Sequence, residues 1–142
     1  MSLYTSEGRG WVASVCGTTY DTPTELRLEC RGADALSFSY APGYEGDEPK
    51  EFDLDPDGEA EFRFTTDKGS SLVNMRNEPE AGVFLAVLPL YDLLIEDMKS
   101  GVRLEISSPS GLTPPNEVSL IGSRLAIERV ARSCLKGRVA AP

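Results

Sequence analysis

The sequence contains no histidine among its 142 residues. Histidine is the usual general base near neutral pH and the commonest metal ligand in proteins. Its absence excludes Ser-His-Asp and Cys-His catalysis and every histidine-ligated zinc site. The G-x-S-x-G nucleophile motif and Gly-rich phosphate loops are also missing. We therefore expect a protein that is not an enzyme and that carries no cofactor.

Long apolar runs and an excess of basic residues are missing too. The longest apolar stretch, residues 82–89, has the length of a strand, whereas a membrane helix needs roughly 20 residues. The chain carries 23 acidic and 14 basic residues, a net charge of −9. This charge repels the phosphates of nucleic acids and of anionic lipids. We predict no transmembrane segment and no nucleic-acid partner.

What is present is a series of short strands that predicts one mainly β domain over residues 1–142. The expected ordered core is 11–136, with 1–9 and 138–142 flexible. Apolar and polar residues alternate in several segments, so that Leu26 and Leu28, or Phe62 and Phe64, share one face. Strands are predicted at 11–16, 25–31, 35–40, 51–54, 59–65, 71–75, 82–88, 102–107 and 117–121. Eight or nine such strands indicate a β-sandwich or barrel.

Two helices interrupt the strands. Pro89 suits the first turn of a short inserted helix, whose apolar stripe is Leu90, Leu94 and Met98, with Glu96 and Lys99 facing water. Gly101 is expected at positive φ where this helix ends. The helix would let segments 82–88 and 102–107 run parallel or lie on opposite sheets. A second helix begins at Ser123 as N-cap, carries Ile127, Val130, Ala131 and Cys134 on one face, and ends at Gly137.

An acidic run over residues 45–61 holds nine acids and one base, Lys50. Asp53, Asp55, Asp57 and Glu59 have the spacing of the first half of a calcium loop. Position twelve of that loop is Phe64, where a bidentate glutamate belongs. Pro56, Asp57 and Gly58 equally suit a tight hairpin turn. We favour the hairpin without a bound ion, and keep calcium binding as the alternative.

Two charged surfaces are candidates for contact with a partner. Glu45, Asp47 and Glu48 lie at the start of the acidic run, which would steer a basic partner or simply face solvent. Arg129 and Arg132 lie in the last helix, where basic residues also complement the helix dipole.

Three cysteines are too few for a zinc site and lack C-x-x-C spacing. Cys30 shares the inward face of Leu26 and Leu28, and Cys134 lies on the apolar face of the last helix. We predict that these two lie within bridging distance. Cys16 is then free, although a Cys16–Cys30 bridge and three reduced thiols in a cytosolic protein stay open.

Several segments resemble small exported bacterial β-domains, the invasion-associated locus B-like proteins and the VasI/TagO-like accessory proteins of type VI secretion. The similar segments are 26–31, 84–94, 102–106, 118–127 and Cys134. The first cysteine strand followed by residues 32–40 is also similar to periplasmic lysozyme-inhibitor barrels. These resemblances imply a periplasmic or secreted location and binding of a protein or envelope component, not catalysis.

The first hypothesis is therefore a non-enzymatic exported domain whose signal peptide lies outside this sequence. One alternative is a lysozyme-inhibitor-like protein. Another is a calcium-binding or carboxylate-based hydrolytic module built on residues 45–61. A cytoplasmic structural domain is the remaining reading, because Met1 to Thr5 lack the features of a signal peptide.

Overall fold

The computed structural model describes residues 1–6, 10–32, 34–49, 58–111 and 113–140. Within them the chain forms nine strands and two helices. The strands are β1 (Ser2–Ser6), β2 (Gly10–Gly17), β3 (Thr24–Cys30), β4 (Ala35–Ala41), β5 (Glu59–Thr66), β6 (Ser70–Glu78), β7 (Val83–Pro89), β8 (Arg103–Ser107) and β9 (Asn116–Ser119). The helices are α1 (Leu93–Ser100), between β7 and β8, and α2 (Ser123–Ala140), after β9. The mainly β class, the inserted helix and the C-terminal helix are as predicted.

All nine strands belong to one curled antiparallel sheet, a half-barrel, with the order β1-β2-β3-β4-β7-β6-β5-β8-β9. The curl brings β2 against β9, although they are not neighbours in the sheet. Gly17 permits this approach, because a Cβ there would lie 2.6 Å from the Glu117 carbonyl oxygen. Curling of a single sheet encloses the core where two stacked sheets would otherwise be needed.

The core lies between the inner face of the sheet and the two helices. Phe62 and Phe64 are fully buried and their neighbours Glu61 and Arg63 are exposed, as the alternation predicts. Phe62 packs edge-on against Tyr40 and Phe84, with ring centroids 5.2 Å and 5.0 Å apart. From the helices, buried residues of α1 and α2 complete the cluster: Leu94, Ile95, Met98, Ala126, Ile127, Val130 and Cys134.

The strand prediction missed β1 and includes one segment that is not described. Residues 2–6, expected to be flexible, pair with β2 from Ser2↔Ser14 to Ser6↔Gly10. The predicted strand 51–54 lies outside the described residues. Alternation detects strands with one buried face, and the short polar segment Ser2–Ser6 offers little of it.

Helix α1 begins four residues later than Pro89 suggested. Pro89 is the last residue of β7, opposite Ala35, and Asp92 is the N-cap, whose carboxylate accepts a hydrogen bond from the Leu94 N–H at 3.0 Å. Leu94 and Met98 form the buried stripe of α1 as predicted, and Leu90 is buried as well but lies in the turn before the helix. Lys99, however, does not face water. Its side chain is only 14% exposed, and its ammonium pairs with Glu96 at 3.1 Å.

Helix α2 also differs from prediction at both ends. The Ser123 hydroxyl donates to the Met98 carbonyl oxygen at 2.6 Å, and the first helical bond runs from the Ala126 N–H to Gly122. Ser123 therefore ties α2 to α1 instead of capping its own helix. Gly137 does not end the helix, which continues to Ala140.

The two strands flanking α1 are neither parallel nor on separate sheets. β7 and β8 are separated in the sheet by β6 and β5, and each of the three intervening pairings is antiparallel. Three reversals make β7 and β8 run in opposite directions. The expectation failed because α1 packs beneath β5 and β6 and carries the chain across them.

Gly101 is required for a close approach and not for a left-handed turn. Its φ is −82° and its ψ 168°, so the chain passes from α1 straight into an extended segment. A Cβ at this position would lie 2.9 Å from the Asp67 carboxylate and 3.0 Å from the Asp97 carbonyl oxygen. That carboxylate accepts the Val102 N–H at 2.8 Å, and this backbone hydrogen bond holds the pKa of Asp67 below its ordinary value.

We expect Gly101→Val to lower the free energy of unfolding by about 1–3 kcal/mol, because the side chain would crowd two oxygen atoms. Urea denaturation followed by circular dichroism measures this loss. In an Asp67→Ala background the loss for Gly101→Val should be smaller, since one of the two crowded atoms is gone. Equal losses in both backgrounds would show that Asp67 is not the obstacle.

Candidate functional site

The two charged surfaces predicted from sequence are separate. Glu45, Asp47 and Glu48 are exposed in the loop after β4, near the bridge between Thr22 and Tyr44. Thr22 follows the C-terminal end of β2. Arg129 lies near the other end of β2, where its guanidinium carbon stacks over Trp11, 4.9 Å from the ring centroid. The ends of β2 lie roughly 20 Å apart at about 3.3 Å per residue. The acidic and basic candidates therefore do not form one site.

The basic candidates border a small cavity of about 230 Å³ between α2 and β2, lined by Trp11, Arg129, Arg132 and Ser133. Both arginines are exposed. The Arg129 guanidinium is engaged by the Trp11 ring, and such stacking stabilises the helix–strand contact as readily as it would serve a ligand.

The candidate calcium ligands are described only in part. Asp53, Asp55 and Asp57 lie outside the described residues, as does most of the predicted hairpin. Glu59 is the first residue of β5 and is exposed, opposite Arg76 on β6. Over the described ranges, no three acidic or cysteine side chains cluster closely enough to hold a metal ion.

Cys30 and Cys134 lie within bridging distance, as predicted. Their Cα atoms are 5.4 Å apart and their sulfur atoms are joined as a disulfide, which ties α2 to β3. Cys16 is free and exposed on β2. Partial burial, followed by the nearby Glu25 carboxylate, raises the pKa of the Cys16 thiol, which makes it a poor nucleophile.

A trough of about 650 Å³ lies on the outer face of β3, β4 and β7. The small side chains of Ser37 and Ser39 form its floor, and charged groups border it. Arg27 beside it is already paired with Glu25 at 3.1 Å. This ion pair already engages one of the charged groups of the trough.

A second groove, of about 480 Å³, lies where the sheet opens between β6 and β7. These strands pair only at Arg76↔Leu85, Asn77↔Phe84 and Glu78↔Val83. The same register would next place Asn74 opposite Val87 and Leu72 opposite Pro89, but the ladder has already stopped. The strands diverge from this point towards the start of α1, where Asp92 and Leu93 line the groove.

Pro89 cannot extend this ladder. It has no N–H to donate, and its carbonyl oxygen accepts the Asp92 N–H at 3.1 Å in the turn into α1. Neither backbone group of Pro89 is therefore available for pairing with β6.

Exposed apolar side chains surround this opening. Leu72 is 49% exposed, Val87 51% and Leu93 66%, and Tyr91 beside them is 73% exposed. The half-buried Val73 and Ala86 form the floor, where the groove reaches the edge of the core. Single exposed apolar residues are ordinary on proteins, but a cluster around a concavity is typical of an interaction site.

Sequence reasoning did not find this groove. It depends on where a ladder between two strands stops, and hydrophobic alternation carries no such information. Two local signals were present: Pro89 at a strand end, and Leu72 and Val87 on faces that alternation assigns to solvent.

Comparison with family models, curated proteins and solved structures finds no match for the chain. Neither helix is long and apolar enough, as far as its residues are described, to cross a membrane.

Proposed function

We propose that this chain is a non-enzymatic domain of an oxidising, extracytoplasmic compartment that binds a protein partner in the groove between β6 and β7. The observation that carries the proposal is the cluster of Leu72, Val87 and Leu93 around an open concavity. Leaving three large apolar side chains in water costs free energy, which a bound partner would recover.

The proposed compartment rests on two independent supports. The Cys30–Cys134 disulfide is typical of exported proteins, because cytosolic thiols are kept reduced. The segments similar to exported bacterial β-domains favour the same location. Thiol trapping with iodoacetamide in intact cells tests it: one alkylated cysteine, Cys16, supports an oxidising compartment, and three alkylated cysteines contradict it.

A random peptide library displayed on phage tests the binding function. We expect peptides selected on the wild-type protein to bind a Leu72→Lys/Val87→Lys variant at least about tenfold more weakly, because the apolar contacts are lost. Val102→Lys is the matched control, since Val102 is 61% exposed but does not line the groove. Affinity is measured by fluorescence anisotropy, and folding of each variant by circular dichroism.

Two outcomes would overturn the proposal. One is the failure of the library to yield any peptide specific for the folded protein. The other is selected peptides whose affinity falls equally in Val102→Lys and in the groove variant, which would place binding elsewhere or make it unspecific.

A further inference from the structure

We infer that the partner binds as an extended strand that adds to the open edges of β6 and β7, and that this strand alternates apolar with basic residues. The inference rests on the proposed function and specifies its mode and its ligand. Addition of a strand to an exposed sheet edge is a general way in which proteins recognise peptides, with affinity from main-chain hydrogen bonds.

The direction of the backbone groups along β7 follows from its other neighbour. The Leu90 N–H donates to the Asp34 carbonyl oxygen in the register of the β4–β7 ladder. Hydrogen-bonded residues alternate along an antiparallel ladder, so even-numbered residues of β7 bond towards β4 and odd-numbered ones bond towards β6. The N–H and C=O groups of Val87 therefore point into the groove.

The same argument applies to β6. The Asn77 N–H donates to the Gly58 carbonyl oxygen on the β5 side, so even-numbered residues of β6 point towards β7. The observed pair Arg76↔Leu85 agrees with both assignments. Leu72 and Asn74 therefore present their N–H and C=O groups to the groove, and these groups have no protein partner among the described residues.

Both walls of the groove are thus unpaired strand edges, and the floor between them is apolar. An extended segment matches this combination, because one edge of its backbone can bond to Val87 or to Leu72 and Asn74 while alternate side chains point to Val73 and Ala86. A helix cannot do this, since its backbone groups are already paired internally.

The charged residues around the groove favour a basic strand as the ligand. Glu61 lies opposite Asn74 on the outer face of β5, Asp92 lines the mouth of the groove, and Arg63 lies opposite Leu72. These groups leave a local excess of one negative charge, within a chain whose net charge is −9. The solvent-facing residues of the bound strand are therefore expected to be lysine or arginine, which also speeds association.

The probe is a capped octapeptide of alternating valine and lysine, titrated into ¹⁵N-labelled protein. We expect the largest shifts of amide resonances at Leu72, Asn74 and Val87. N-methylation of all the valines, or of all the lysines, blocks one edge of the peptide backbone. At least one of these peptides should bind about three- to tenfold more weakly, as expected for lost hydrogen bonds. Replacing lysine by glutamate should also weaken binding.

A protein variant provides the reciprocal test. Val87→Pro removes only an N–H that faces the groove, and Val87→Thr is the matched control that keeps it. We expect weaker binding of the octapeptide to Val87→Pro than to Val87→Thr. If Val87→Pro fails to fold, the N-methylated peptides on the wild-type protein decide the question alone.

The outcomes separate this inference from the proposed function. Suppose that library peptides bind the groove but that neither N-methylation weakens binding of the octapeptide. This result overturns strand addition and leaves the proposed protein binding intact. Equal binding of the glutamate and lysine octapeptides overturns the charge preference. A concentration-dependent dimer in sedimentation, abolished by Val87→Pro, would make a second copy of this chain the occupant and overturn the choice of a basic partner. Absence of any peptide binding overturns both proposals.

Discussion

Replacement of Cys134 by alanine should lower the free energy of unfolding by about 4–5 kcal/mol. The Cys30–Cys134 bridge joins residues 104 positions apart, so it closes most of the chain into a loop. In the chain-entropy model, a cross-link of this length restricts the unfolded ensemble by that amount. The loss is comparable to the whole stability of many domains, which is about 5–15 kcal/mol.

Urea denaturation of wild type, Cys134→Ala and the control Cys16→Ser measures this effect. Cys16 is exposed and unbridged, so its replacement should change stability by less than about 0.5 kcal/mol. Wild-type protein kept in a reductant should resemble Cys134→Ala. A loss below about 1 kcal/mol in Cys134→Ala would mean that α2 is held to the sheet by packing alone.

The second large effect is expected at Asn116, whose substitution by alanine should cost about 3 kcal/mol. Asn116 is 2% exposed and holds together two segments that are distant in sequence, residues 40–43 and 114–116. Its side-chain amide nitrogen lies within hydrogen-bond distance of the Tyr40 hydroxyl and of the Gly43 and Pro114 carbonyl oxygens, and its oxygen accepts the Gly43 N–H at 3.1 Å. Truncation leaves several of these buried groups without a partner, at about 1–3 kcal/mol for each.

Asn74→Ala provides the control for this prediction, because Asn74 carries the same side chain in an exposed position on β6. Its effect on thermal unfolding should be within about 0.5 kcal/mol. Asn116→Asp is informative as well, since it keeps the acceptor for Gly43 and removes the donors. If Asn116→Ala and Asn74→Ala melt alike, water has replaced the lost hydrogen bonds.

Residues whose environment is set by their own strand or helix were predictable from the sequence. The inward faces of Leu26 and Leu28 and of Phe62 and Phe64 follow from alternation alone. The pairing of Cys30 with Cys134 followed in the same way, because both lie on buried faces and the core is small. The burial of Leu94 and Met98 follows from helical spacing.

Features that depend on distant segments were not predictable. Gly101 obeys the local rule that glycine follows a helix, but its reason is an aspartate 34 positions earlier in the chain, at 67. Ser123 has the residue type of an N-cap and is used instead to hold α1. The groove between β6 and β7 depends on the early end of their ladder, at Arg76 and Leu85, while β7 stays paired with β4 as far as Pro89. Each of these is decided by tertiary contacts that outweigh a local preference.

The order of the strands has a consequence for how the chain folds. Strands β1 to β4 form a meander in which each strand pairs with the next. Strands β5 and β6 also pair as neighbours in sequence, and so do β8 and β9. Among the described strands, only the β4–β7 and β5–β8 pairings join strands that are distant in sequence. Hairpins form within microseconds, whereas pairing across long loops waits on loop closure. We therefore expect the β1–β4 meander to gain protection from amide hydrogen exchange early during refolding, and the amides of the β4–β7 and β5–β8 pairings to gain it last.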